Sequence, residues 1–110
     1  MYLYESGEEA STMRWIEVIN LRSSEKQQEM LGAALSRSLP PRDLTGGLVQ
    51  MKIYRHAMVD TDLSIHLCWE SRDAEKDGSP LGLHLAEALK PFGLVHHSVW
   101  LERDKGGAGP

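Results

Sequence analysis

Cysteine, phenylalanine and positive charge are what this chain has least of. Cys68 is the only cysteine among 110 residues, so an intramolecular disulfide is impossible and a zinc site built on paired thiolates is excluded. Lys and Arg total 12 against 16 for Asp and Glu, a net charge of −4, which argues against nucleic acid or another large polyanion as a partner. No apolar run approaches the roughly eighteen residues that cross a bilayer. The first residues include Glu5, Glu8 and Glu9 and lack the basic start and apolar stretch of a signal peptide. The expectation is therefore a cytoplasmic protein with no membrane partner. A phosphate-cradling glycine loop and a dinucleotide fingerprint are also missing, in keeping with a protein that uses no nucleotide cofactor.

What is present is the composition of one ordinary folded domain, 41% hydrophobic and 25% charged. Residues 1–12 mix tyrosine and glutamate without a period and read as an N-terminal extension. Residues 103–110 end in Gly-Gly-Ala-Gly-Pro, have nothing to bury and read as a flexible C-terminal tail. The domain is expected over residues 13–102.

Within it the periodicity changes four times. Trp15 to Leu21 is rich in β-branched residues and predicts a strand, and Ser23-Ser24 with Gln27 resembles a capping box. Met30, Leu31, Ala34, Leu35 and Leu39 recur at helical spacing until Pro40-Pro41. Leu48–Arg55 and Leu63–Trp69 alternate as two half-buried strands around the turn residues Asp60-Thr61-Asp62, and so predict a hairpin. Ser79-Pro80 caps a second helix with Leu81, Leu85, Leu89 and Phe92 on one stripe, closed by Pro91 and Gly93. Leu94–Leu101 is the last strand. The order βαββαβ predicts an α+β, ferredoxin-like domain with a four-stranded antiparallel sheet and both helices on one face.

Alternation assigns Val49, Met51, Ile53, Ile65, Leu67, Val95 and Val99 to the helix side. The opposite parity carries Tyr54, His66, Cys68, Glu70, His96 and Trp100. His97 falls on the helix-side parity, and in the first strand Ile16 and Val18 compete with Trp15, Ile19 and Leu21 for the core. An uncovered face that is aromatic and histidine-bearing is expected to meet something, either a second copy of the chain or a small molecule.

Three segments, Ile53-Tyr54-Arg55, Leu67-Cys68-Trp69-Glu70-Ser71 and the following helix with His84, give the domain a resemblance to the dimeric α+β barrel superfamily, in particular the antibiotic-biosynthesis-monooxygenase-like domains. That resemblance implies a homodimer closed through the open sheet faces. A pocket for a small molecule is expected between sheet and helices, lined by some of Tyr54, His66, Glu70, His84, His96 and Trp100 with Asn20 at its rim, since a few convergent polar groups among apolar walls make such a site. The reaction that the resemblance implies is a cofactor-independent oxygenation of an aromatic or quinol substrate, without flavin or metal. His66 or His96 is the expected catalytic base, since imidazole is the side chain suited to proton transfer near neutrality. His84 lies farther beyond Trp69 than the helical histidine of that family.

Other readings compete. His66, Cys68 and Glu70 share a strand face and with His96 offer four potential metal donors, but one thiol is a thin anchor and no metal is expected. Trp15, Trp69 and Trp100 suit either a flat ligand or a dimer interface, the interface being favoured. An RNA-recognition motif needs stacking aromatics, of which Leu63–Trp69 offers only the terminal Trp69, and a metal chaperone of this shape needs Cys-x-x-Cys, which is absent. The alternative to an enzyme is a non-catalytic ligand-binding or interaction module on the same fold.

Overall fold

In a computed structural model that describes residues 11–23, 28–38 and 46–103, the first strand, β1, runs from Met13 to Arg22. Its alternation is resolved by burial: Trp15, Glu17, Ile19 and Leu21 are buried, while Ile16, Val18 and Asn20 are only half-buried on the other face. The helix α1 (Gln28–Ser38) follows. Leu31 and Ala34 are buried and Leu35 packs against the core, whereas Met30 points into solvent. Of the cap expected at Ser23-Ser24 with Gln27, Ser24 and Gln27 lie outside the described residues, as does the stop at Leu39 to Pro41.

The strands β2 (Leu48–Arg55) and β3 (Asp62–Ser71) form the expected antiparallel hairpin. Its loop is closed by the His56 N–H to Asp62 carbonyl bond, and the His56 ring accepts from the Met58 and Val59 N–H groups. One expectation is corrected here. Leu48 faces Trp69 and Gln50 faces Cys68, so the ladder skips Val49 in a β-bulge. The bulge turns Val49 outward, 59% exposed, and leaves Leu48 and Met51 to pack against the core. Ile53 keeps the core-side parity but stays 46% exposed on this edge strand.

The second helix, α2 (Pro80–Leu89), starts as the sequence predicts. Ser79 Oγ accepts from the Gly82 N–H at 2.9 Å and Pro80 occupies the first turn, where no N–H is needed. Leu85 and Leu89 are fully buried. A single 3₁₀ turn over Lys90–Phe92 carries the chain into β4 (Leu94–Leu101). The sheet order is β2-β3-β1-β4 with every pair antiparallel. The helix α2 packs on β1 and β4, and α1 packs on α2.

The core between sheet and helices is dry and aromatic at one end. Trp15 and Trp69 are cross-strand partners whose rings stack at 5.4 Å. Both are buried on the helix side, so of the three tryptophans only Trp100 reaches the open face. Among the described residues no helix is long and apolar enough to cross a membrane.

Candidate functional site

Strand register sets the open face out in rows. Across β2, β3, β1 and β4 they read Gln50, Cys68, Ile16, Trp100; then Lys52, His66, Val18, Ser98; then Tyr54, Ser64, Asn20, His96. Beyond the first row lie Glu70 and Arg14, and beyond the last lie Asp62, Arg22 and Leu94. Trp100 is 59% exposed and Tyr54 46%, so two large aromatic rings stand on a surface that no helix covers.

The chemistry gathers in the last two rows. His66 Nε2 is 3.0 Å from Ser64 Oγ, and the Tyr54 ring lies against the imidazole with centroids 4.7 Å apart and planes tilted 59°. The tilted contact with Tyr54 and the bond to Ser64 orient the ring. In the tautomer whose Nε2 donates to Ser64 Oγ, Nδ1 carries the lone pair, and it has no partner among the described residues. Asn20 stands directly between Ser64 and His96. A groove of about 450 Å³ runs past Tyr54, Asn20 and Ser64 toward Arg22, His56 and Val59. A second, of about 410 Å³, lies at the other end over Ile16, Val49, Gln50, Cys68 and Trp100.

Two parts of the expected pocket are corrected. It does not lie between sheet and helices, because Tyr54, His66, Asn20, His96 and Trp100 all take the uncovered face, while the covered face carries the apolar core together with Glu17 and His97. Nor do all its residues converge. His84 sits on the exposed side of α2, beyond the opposite face. Glu70 pairs with Arg14 at 3.6 Å and accepts from Thr12, six strand positions from the Asn20 row, which is about 20 Å at strand rise. One small ligand cannot touch both. His66, Cys68, Glu70 and His96 do not form the four-donor set considered above; among the described residues no three His, Cys, Asp or Glu side chains gather closely enough to hold a metal ion.

Comparison of the sequence with protein families and with curated proteins finds no match. Comparison of the structure with solved structures does. Protein SO0527 from Shewanella oneidensis aligns with a TM-score of 0.61 at 15% identity, over 82% of this chain and 91% of that one. SnoaB, a cofactor-independent oxygenase from Streptomyces nogalater, aligns in a mutant form with a TM-score of 0.59 at 16% identity, over 87% and 97% of the two chains. A dimeric ferredoxin-like protein from an uncultured marine organism aligns at 0.55, with 15% identity over 84% and 90%. The fold is the ferredoxin-like α+β fold that these subunits share. At these identities the likeness speaks for the fold of the subunit, and the chemistry has to be read from this chain's own residues.

The covered face of the sheet holds a polar cluster that periodicity did not announce. Glu17 is fully buried. Its Oε1 accepts from Trp69 Nε1 at 2.9 Å and from Ser79 Oγ, and its Oε2 accepts from the Ser79 N–H at 2.8 Å and His97 Nε2 at 2.9 Å. The carboxylate sits at the N-terminus of α2, where backbone N–H groups and the helix dipole favour negative charge. Ser79 is engaged twice, as donor to Glu17 and as cap acceptor, and is only 1% exposed. It is thus a joint between helix and sheet, closed to any substrate. The signal for this cluster lay in two misfits: an acid at a core position of β1, and a histidine at a core position of β4.

Proposed function

We propose that this chain is a homodimeric α+β barrel protein that binds a planar aromatic molecule on its open sheet face and oxygenates it without flavin or metal. The observation that carries the reading is the oriented trio of Tyr54, His66 and Ser64 on a face bare of helices. A second copy closing over that face would bury Trp100 and Tyr54 and exclude water from the site. His66 Nδ1 takes the proton of a ring hydroxyl or an activated ring carbon, and the ionised ring then passes electrons to O₂. One oxygen atom joins the substrate and the other leaves as water, with both electron pairs supplied by the substrate. The protein contributes orientation, desolvation and the base. His96, across Asn20 from Ser64, is the second candidate for that base. The setting is the reducing cytoplasm, in which Cys68 stays a thiol.

A non-catalytic ligand-binding module is favoured by one observation: the hydrogen-bond partner of His66 is a serine hydroxyl, and among the described residues no carboxylate orients the ring. Analytical ultracentrifugation at micromolar concentration, followed by oxygen uptake with a panel of quinols and polycyclic phenols, separates the readings. The expected outcome is a dimer with turnover that His66→Ala abolishes while the dimer persists. A strict monomer overturns the barrel reading, and a dimer that binds an aromatic from the panel without consuming oxygen establishes the module.

A further inference from the structure

Charge is unevenly placed on the open face. Among the described residues its carboxylates stand only at the two ends, where Glu70 pairs with Arg14 at 3.6 Å and Asp62 with Arg22 at 3.7 Å; Glu102 joins the Arg14 end through its backbone bond to that residue. The three central rows contain no acid at all. They contain one permanent cation, Lys52, directly across from His66 and two positions from Tyr54 on the same strand. Lys52 has no carboxylate partner among the described residues.

In the open subunit this ammonium is solvated. If a second copy covers the face, the water goes, and a buried unpaired cation is costly enough that interfaces either pair it or replace it. Of the described face acids that a second copy would bring, Glu70 and Asp62 already hold arginines, and Glu102 stands in the Arg14 row, two rows from Lys52. A neutral side chain would serve a purely structural interface better at this register. We propose that the site takes its aromatic ligand as an anion, a ring bearing a carboxylate or an ionised hydroxyl, with Lys52 as the counter-charge beside His66. The inference rests on the aromatic-binding reading above and narrows its substrate class. It also gives Lys52 a role in the reaction: an oxyanion that forms when His66 removes a ring proton lies next to a fixed positive charge.

A series of anthraquinones differing only at position 2 tests this: neutral 2-methyl, titratable 2-hydroxy and permanently anionic 2-carboxylate, with binding followed by tryptophan quenching. The carboxylate is expected to bind about tenfold more tightly than the methyl compound, the worth of one charge-assisted pair. In Lys52→Met that ratio is expected to fall to about one with the methyl compound's affinity unchanged, and Lys52→Arg is expected to restore it. Below the pH at which the hydroxy compound ionises in solution, its ionised absorption band is expected on the unmodified protein and not on Lys52→Met, which distinguishes an ionised hydroxyl from a carboxylate as the natural anion. Equal affinity for the methyl and carboxylate probes overturns the inference while leaving the aromatic site standing. So does a Lys52→Met variant whose dimer weakens while its preference for the carboxylate persists, because Lys52 then answers to the other copy. Binding of none of the three probes overturns the aromatic-binding reading itself.

Discussion

Glu17 meets four donors from three different segments. Its removal leaves the Trp69 indole N–H and the Ser79 backbone N–H buried without an acceptor. Each such orphan costs about 1–3 kcal/mol, and a void remains where the carboxylate stood. Glu17→Ala is therefore expected to lower unfolding free energy by about 3 kcal/mol or more, measured by urea denaturation with an unchanged m-value. Glu17→Gln is expected to cost less, since its amide oxygen still accepts, though its NH₂ must then face a donor. A loss below about 1 kcal/mol for the alanine variant would mean that the site collapses or hydrates without penalty.

At the scale of the helices, two glycines respond oppositely to the same substitution. Gly32 lies on the exposed side of α1 with nothing within 4 Å of where a Cβ would stand. Gly82 lies in the first turn of α2, and a Cβ there would overlap the Glu17 carboxylate. Helix propensity alone favours alanine at both by up to about 1 kcal/mol. Gly32→Ala is expected to raise the melting temperature, and Gly82→Ala to lower it by displacing α2 from the sheet at a cost of about 1–3 kcal/mol. Thermal unfolding of the two variants side by side checks this, and a stabilised Gly82→Ala would contradict the described approach of helix and strand. Gly78, at φ +108 and against the His97 ring, holds the preceding corner of the same joint.

The molecule as a whole has one finished face and one open one. The helices cover Trp15, Ile19, Leu21, Ile65 and Leu67, while Trp100, Tyr54 and Val49 stand in solvent on the side that a second copy is proposed to close. Trp100 is bonded through its indole N–H to Ser98, two residues away, and adds little to the subunit's own core. Trp100→Ala is thus expected to leave subunit stability within about 0.5 kcal/mol. It is expected to raise the dimer dissociation constant about tenfold or more, as truncation of a central interface tryptophan does, and to make the melting temperature depend more steeply on protein concentration. Unchanged self-association in the ultracentrifuge would place the interface elsewhere.

The order of elements, the hairpin, the Ser79 cap and the faces of β3 and β4 were all legible in the sequence, because alternation and capping are local consequences of backbone geometry, confined to neighbouring residues. The two residues of the oriented site that the sequence did single out, Tyr54 and His66, were legible for the same reason: they share the polar parity of adjacent strands. Three things waited for the tertiary structure. The parity of β1 offers two apolar sets, and only the side on which the helices settle decides between them. The bulge at Val49 inverts a parity without leaving a mark in composition, and the separation of Glu70 and His84 from the other site residues depends on register and on which face α2 covers. Glu17 reads along the chain as a polar residue between two apolar ones. Its donors come from Trp69, Ser79 and His97, all more than fifty positions away, and a buried charge is tolerated or not according to partners that only folding brings within reach.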